Sequence, residues 1–377
     1  MPQPRVIQNP LVDRRAVKSL VDESQAFHRS MPGYQPTRIT TAPGIAAKLG
    51  VRSVHVKDES GRMNMPSFKV LGASWATYRT ILRALGLPVD AGIGLPELKR
   101  RLATRPGLRL IAATDGNHGR AVARMAALLG IGAHILVPDD MVQPRIDAIV
   151  SEGAEIEIVD GGYDDAIQRS ADLADENNFV VSDTSWGGYV DPPGWVIDGY
   201  STMINEILQE IESSTVPRPT VVPAQIGVGA FAAAVVRGFA GSEHTRLIGV
   251  EPTDADCMAA SIEAGEVVTI PGPQRSIMAG LNCGTPSMIA WPDVSRGFDA
   301  FVTVTDSAAE EAVRLLYADG VFSGESGAAG LAGLLEHAAA LGLGTEDDIL
   351  LISTEGPTNV PAFNRITGAQ LTEQGQK

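Results

Sequence analysis

From about residue 108 onward, short apolar runs alternate with longer amphipathic stretches. Parallel strands need a crossover of a dozen or more residues between them, usually a helix, so this alternation commits the chain to an α/β fold with a mostly parallel sheet. The spacing predicts strands over residues 108–113, 134–137, 155–159 and 179–182, with helices over 119–129, 143–152 and 163–177 between them. A Gly/Pro-rich break at 187–194 follows. A helix near 199–211 then leads to a strand over 220–224, a loop over 225–230, a helix over 231–239 and strands over 247–250, 300–304 and 348–352. No internal repeat is visible, and only residues 372–377 read as a disordered tail.

Composition narrows the partners. The formal charge of −15 argues against nucleic acid and anionic membrane surfaces, which select for basic patches, and leaves small molecules as the expected ligands. The 40 glycines suit tight strand-to-helix turns and close backbone approach to a ligand. Only Cys257 and Cys283 occur, without a C-x-x-C pair or clustered histidines, so zinc and redox motifs find no support. No run approaches a membrane span and the first residues lack a signal pattern, so a cytoplasmic protein is expected.

One lysine stands out before the repeating pattern begins. Residues 54–57 read as a short strand, residues 58–66 as a loop, and Ser67 as the N-cap of a helix running towards Arg79, which puts Lys69 in its first turn. A cation there opposes the helix field, and that field together with burial favours the neutral, nucleophilic amine that a Schiff base needs. Taken alone, Lys69 would read as an ordinary exposed lysine.

Further candidates lie at strand-to-helix junctions, where open α/β sheets bind ligands. Thr114, Asp115, Gly116, Asn117, His118 and Gly119 form a loop suited to a carboxylate, or simply an Asx turn. Gln225 to Ala230, with Gly227 and Gly229, has the geometry for cradling a phosphate on backbone N–H groups. Read differently, Gly227-x-Gly229 with Glu251 some twenty residues later partly mimics a dinucleotide fingerprint, a nicotinamide alternative that leaves Lys69 unexplained. Ser353-Thr354-Glu355-Gly356 offers hydroxyls to a heterocyclic nitrogen, or caps a turn; Ser323 to Ala328 reads as a tight loop and helix start. Asp183, just past a strand end, is either solvated or placed to hold the amino group of a cationic substrate.

In this order, a lysine in S-F-K, an x-G-N-x-G loop, a glycine phosphate loop and a terminal S-T-E-G turn resemble the tryptophan-synthase-β superfamily of pyridoxal-phosphate enzymes. Within it, Lys57-Asp58-Glu59-Ser60, Ala113 to Arg120, Asp183-Thr184-Ser185-Trp186, Ser276 to Leu281 and Ser323 to Ala328 resemble the diaminopropionate ammonia-lyases, from about residue 35 to 360. The resemblance implies a fold type II enzyme: two three-layer α/β/α domains with the cofactor in the cleft between them. A large domain would comprise residues 1–74 and 195–377, with a small domain of 75–194 inserted, in a homodimer. It implies an aldimine between Lys69 and pyridoxal 5′-phosphate, with Phe68 alongside. Asn117 would bond the ring's 3′-oxygen, Gly227, Val228, Gly229 and Ala230 the phosphate, and Ser353 or Thr354 the pyridine nitrogen. The substrate carboxylate would rest on the amides of Thr114 to Gly119.

The implied reaction is elimination of the β-amino group of 2,3-diaminopropionate to give pyruvate and two ammonia. Lys69 would take the Cα proton and Asp115 or Asp183 would serve the leaving amine. Asp115, if on the face opposite Lys69, would extend the reaction to the D-enantiomer. One departure is marked: Gly356-Pro357-Thr358-Asn359 stands where the family carries G-D-T-D. It leaves open a lyase, dehydratase of the threonine/serine type or β-replacement enzyme on another 3-substituted alanine, or a non-catalytic ligand-binding relative.

Overall fold

The computed structural model describes residues 3–89, 92–114 and 116–372; Asp115 and most of the expected tail lie outside the described residues. Eleven strands are present among them: β1 Val6–Gln8, β2 Ile39–Thr41, β3 Ser53–Asp58, β4 Arg109–Ala113, β5 Gly132–Pro138, β6 Glu155–Val159, β7 Asn178–Val180, β8 Val221–Gln225, β9 Arg246–Pro252, β10 Ala300–Val304 and β11 Asp348–Ser353. The chain separates into two compact units, one of residues 1–20, 35–68 and 203–377, the other of residues 21–34 and 69–202.

The first unit holds a seven-stranded sheet in the order β1-β10-β9-β8-β11-β3-β2. Its five inner strands are parallel, and the short edge strands β1 and β2 run antiparallel to β10 and β3. Every residue of β8, β10 and β11 is buried, as expected of parallel strands covered by helices on both faces. The second unit holds a four-stranded, all-parallel sheet in the order β6-β5-β4-β7, whose core joins Ile111, Ala113, Leu136, Ala166 and Val180. The α/β expectation holds, with the alternating pattern distributed over two sheets.

Local differences have physical reasons. The helix expected near 199–211 begins at Asp191, because Pro192 and Pro193 fall in its first turn, where a missing N–H costs nothing. The next helix spans Lys69–Ala84, and the backbone of Ser67, two residues before it, bridges to Glu355. Lys69 therefore opens the helix itself.

The loop between β3 and that helix is fixed by buried charge. Lys57 Nζ lies 2.7 Å from Glu206 Oε2 and donates to the carbonyl of Thr37 at 2.8 Å. Arg62 donates to Glu59 at 2.7 and 2.8 Å and to Glu206 at 2.7 and 2.8 Å, with Gln35 O and Thr37 Oγ1 taking further N–H groups. Two cations thus balance two carboxylates, none more than 3 % exposed. Burial opposes ionisation of Glu206, but the bonds and charges of Arg62 and Lys57 outweigh it and hold the carboxyl below its ordinary range. Beyond Arg62, Met63 and Asn64 adopt left-handed backbone angles, φ 49° and 59°.

Removing one member of such a cluster leaves a buried charge uncompensated, at about 3–5 kcal/mol. Glu206→Gln is expected to lower the urea unfolding free energy by that amount; an unchanged midpoint would show that the cluster contributes nothing to stability.

Candidate active site

In the order β8-β11-β3, three neighbouring strands send their carboxyl ends to the same edge of the larger sheet. From them come the glycine turn, the Ser353–Gly356 turn and the loop leading to Lys69. Residues 66–68 run against the Ser353–Gly356 turn: Phe68 N donates to Thr354 O at 3.1 Å, and Gly356 N donates to Pro66 O at 2.8 Å. The Phe68 ring stands edge-on to Phe231, 5.1 Å between centroids, in the helix Ala230–Phe239 that follows the glycine turn. Residues distant in sequence are therefore joined through main-chain bonds one peptide before Lys69.

The glycine turn is a cradle closely walled at both of its glycines. A Cβ on Gly227 would stand 3.0 Å from Gly280 O and 3.3 Å from Cys283 Sγ, and Gly229 has φ 103°. The first N–H groups of a helix point out along its axis without an intrahelical acceptor, so the start of Ala230–Phe239 suits an anion. This donor set fits a phosphate. Sequence reasoning did not foresee the wall around it: Gly280 closes on the turn while donating its N–H to Ser326 Oγ at 3.1 Å, and Ser287 N donates to Val228 O at 2.8 Å. The signal lay in residues 276–281, read as a family motif, and 323–328, read as a tight loop and helix start and as a family motif.

Ser353 and Thr354 are both buried. Ser353 Oγ donates to Ser323 Oγ at 2.8 Å. Thr354 Oγ1 accepts from Gln225 Nε2 at 2.8 Å, which leaves its own proton to donate. Asn359 caps the final helix, Val360–Thr367, by accepting from Ala362 N at 3.2 Å. Aspartate and asparagine cap equally well, so this departure from the family's acidic pattern keeps the turn's local role.

In the second unit, Lys69 Nζ lies 2.6 Å from Asp183 Oδ2, and Asp183 Oδ1 accepts from Tyr163 Oη at 3.1 Å. His118 donates Nε2–H to Val181 O at 2.8 Å, directing Nδ1 at Asp183 from 3.9 Å. Burial penalises the Asp183 carboxylate, yet the charges of Lys69 and His118 and the bonds from Lys69 and Tyr163 more than offset it, holding the carboxyl far below its ordinary range.

The Thr114 hydroxyl organises its neighbours. Thr114 Oγ1 accepts N–H groups from both Gly116 and Gly119 at 2.9 Å, and Thr114 N donates to Leu136 O, so those three amides are engaged within the protein. Asn117 and His118 open the helix Asn117–Leu129. Gly119 is required by proximity, since a Cβ there would stand 2.4 Å from Thr114 Cγ2.

Glu251, the acid of the dinucleotide alternative, is spent elsewhere. Its buried carboxyl accepts from Met258 N and Ala259 N at 2.8 and 2.7 Å, capping the helix Cys257–Ala264, and burial pushes its pKa up to about 8. It is not available to a ribose. Cys257 and Cys283 are both buried free thiols, and among the described residues no helix is long and apolar enough to cross a membrane.

Residues 31–355 match the family described as pyridoxal-phosphate dependent enzyme. Over 373 residues the chain is 34 % identical to diaminopropionate ammonia-lyase of Escherichia coli strain K12, covering 92 % of each. The crystal structure of holo diaminopropionate ammonia lyase from Escherichia coli superposes with a TM-score of 0.87 at 32 % identity, covering 97 % of this chain and 96 % of that one. The same enzyme in complex with D-serine superposes with a TM-score of 0.87 at 31 % identity, covering 97 % of both chains. The chain belongs to the fold type II pyridoxal-phosphate dependent enzymes, and within them to the diaminopropionate ammonia-lyase family.

Proposed function

We propose that this chain eliminates the β-amino group of 2,3-diaminopropionate, adding one water overall and releasing pyruvate and two ammonia. The observation that carries the reading is the pair formed by Lys69 and the buried Asp183 at 2.6 Å, at the start of a helix. Kinship with diaminopropionate ammonia-lyases supports the substrate. Pyridoxal 5′-phosphate supplies the electron sink that makes the Cα proton removable.

Each residue then has a defined task. Lys69 would anchor the cofactor and serve as the general base for the Cα proton. Gly227, Val228, Gly229 and Ala230 hold the phosphate, Asn117 the ring 3′-oxygen, and Phe68 lies alongside. A hydroxyl of Ser353 or Thr354 faces the pyridine nitrogen. A neutral partner there would leave that nitrogen unprotonated, a setting suited to β-elimination. The substrate carboxylate is received at the helix start, by the main-chain N–H groups of Asn117 and His118, with Thr114, Gly116 and Gly119 shaping the loop around it.

Asp183, ionised across the working pH range, attracts the protonated β-amino group, which leaves far more readily than a neutral amine. Asp115 is assigned the Cα proton of D-substrate, a role that requires it on the face opposite Lys69. The D-serine complex of the Escherichia coli enzyme supports entry of a D-amino acid at the homologous site. We further propose the division into a cofactor-binding domain of residues 1–74 and 195–377 with residues 75–194 inserted, and a cytoplasmic homodimer. The two buried free thiols are in keeping with a reducing compartment.

Purified enzyme is expected to show an absorbance band that borohydride abolishes, and to form pyruvate from 2,3-diaminopropionate. Lys69→Ala should lack the band and lose about 10²–10⁴-fold in rate; a band that survives in this variant would reject the anchor. Faster pyruvate formation from serine than from diaminopropionate would move the substrate to the dehydratase alternative. Asp115→Asn should depress turnover of D-substrate more than of L-substrate, and equal losses on both enantiomers would remove the two-face assignment.

A further inference from the structure

Asp183 lies three residues beyond β7, in a segment whose main chain is pinned from several directions. Val181 N donates to Ile111 O at 2.8 Å, extending the pairing with β4 by one residue, and Val181 O accepts from His118. The two peptides around Val181 are tied by a single hydroxyl. Tyr189 Oη donates to Val180 O at 2.8 Å and accepts from Ser182 N at 3.0 Å. The chain reaches back on itself through a turn at 186–189, where Tyr189 N donates to Trp186 O at 2.9 Å and Gly188 takes φ 85°. The Trp186 and Tyr189 rings stack in parallel, 4.1 Å apart, which seats the hydroxyl.

We propose that Tyr189 is a positioning residue for the elimination: its hydroxyl clamps the main chain on either side of Val181 and thereby aims the Asp183 carboxylate at Lys69. The inference rests on the assignment of Asp183 to the reaction. Four groups face or surround that carboxylate: Lys69 from the helix Lys69–Ala84, His118 from Asn117–Leu129, Tyr163 from Tyr163–Asp172, and Tyr189 from the returning turn. Burial first, and the Asp183 charge with it, raise the pKa of Tyr189, so its hydroxyl keeps its proton and remains a donor throughout the working range. Without the clamp the carboxylate is free to move off Lys69 and Tyr163, and a carboxyl that loses its cationic partner and hydrogen bonds returns upward towards its ordinary pKa.

The test is Tyr189→Phe in the pyridoxal-phosphate-loaded enzyme, which keeps the ring stack and removes only the hydroxyl. Misplacement of a reacting group by about 1 Å costs about 10²-fold. The expected result is a fall in kcat of about 10- to 100-fold, little change in KM or in the cofactor's absorbance, and an acidic limb of kcat/KM moved to higher pH. The double variant Tyr189→Phe/Asp183→Asn should be no slower than Asp183→Asn alone, because residues acting as one unit are non-additive. Full activity in Tyr189→Phe, or strictly multiplicative losses in the double variant, would overturn the clamp while leaving the Asp183 assignment intact. Full activity in Asp183→Asn would remove that assignment and the clamp with it. If Tyr189→Phe fails to fold, Trp186→Leu unseats the ring without removing the hydroxyl; it should shift the acidic limb in the same direction, and an unshifted profile overturns the proposal.

Discussion

Four buried charges, those of Lys57, Glu59, Arg62 and Glu206, are the constraint on which the approach to the lysine depends. Taking ions from water costs several kcal/mol each, and mutual attraction recovers this only when geometry is good and the remaining polar atoms are bonded. Here Arg62 meets two carboxylates and two further oxygens, so the cluster leaves little unsatisfied. An apolar loop of the same length would gain burial without choosing among its conformations. The charged cluster holds one, including two consecutive left-handed residues, and delivers residues 66–68 to the sheet edge in a fixed register.

The parallel sheet does the rest of the assembly. Strands β8, β11 and β3 are adjacent and point the same way, so whatever follows each of them is gathered at one edge regardless of sequence separation. That arrangement brings the glycine turn, the paired hydroxyls and the loop before Lys69 together without a dedicated interaction for each. Asp183 and its neighbours are built by the same rule in the smaller sheet, beyond the carboxyl end of β7.

What was legible in the sequence is what depends on local pattern. The strand-and-helix alternation, Lys69 in a first helical turn, and the loops at 114–119, 225–230 and 353–356 follow from periodicity and turn chemistry. Long-range partnerships were not legible. Glu206 sits on an amphipathic helix 149 residues from Lys57 and reads as one more solvated acid. Glu251 has the spacing of a ribose-binding acid, yet the helix beginning at Cys257 claims its carboxyl. Thr114 carries no sign that its hydroxyl will take two amides of the loop it opens, and the backbone bridge from Ser67 to Glu355 cannot be seen from their neighbours.

The stitching of 66–68 to 354–356 includes bonds between main-chain atoms: N–H and C=O groups that every residue except proline possesses in full. Side-chain drift along this ribbon can therefore alter chemistry without altering alignment. Insertions and deletions behave in the opposite way. A single added residue on either segment would slide the ribbon by one step and turn Phe68 away from Phe231, however well the side chains were preserved. The ribbon makes chain length, more than residue identity, the quantity that divergence in these two segments must hold constant.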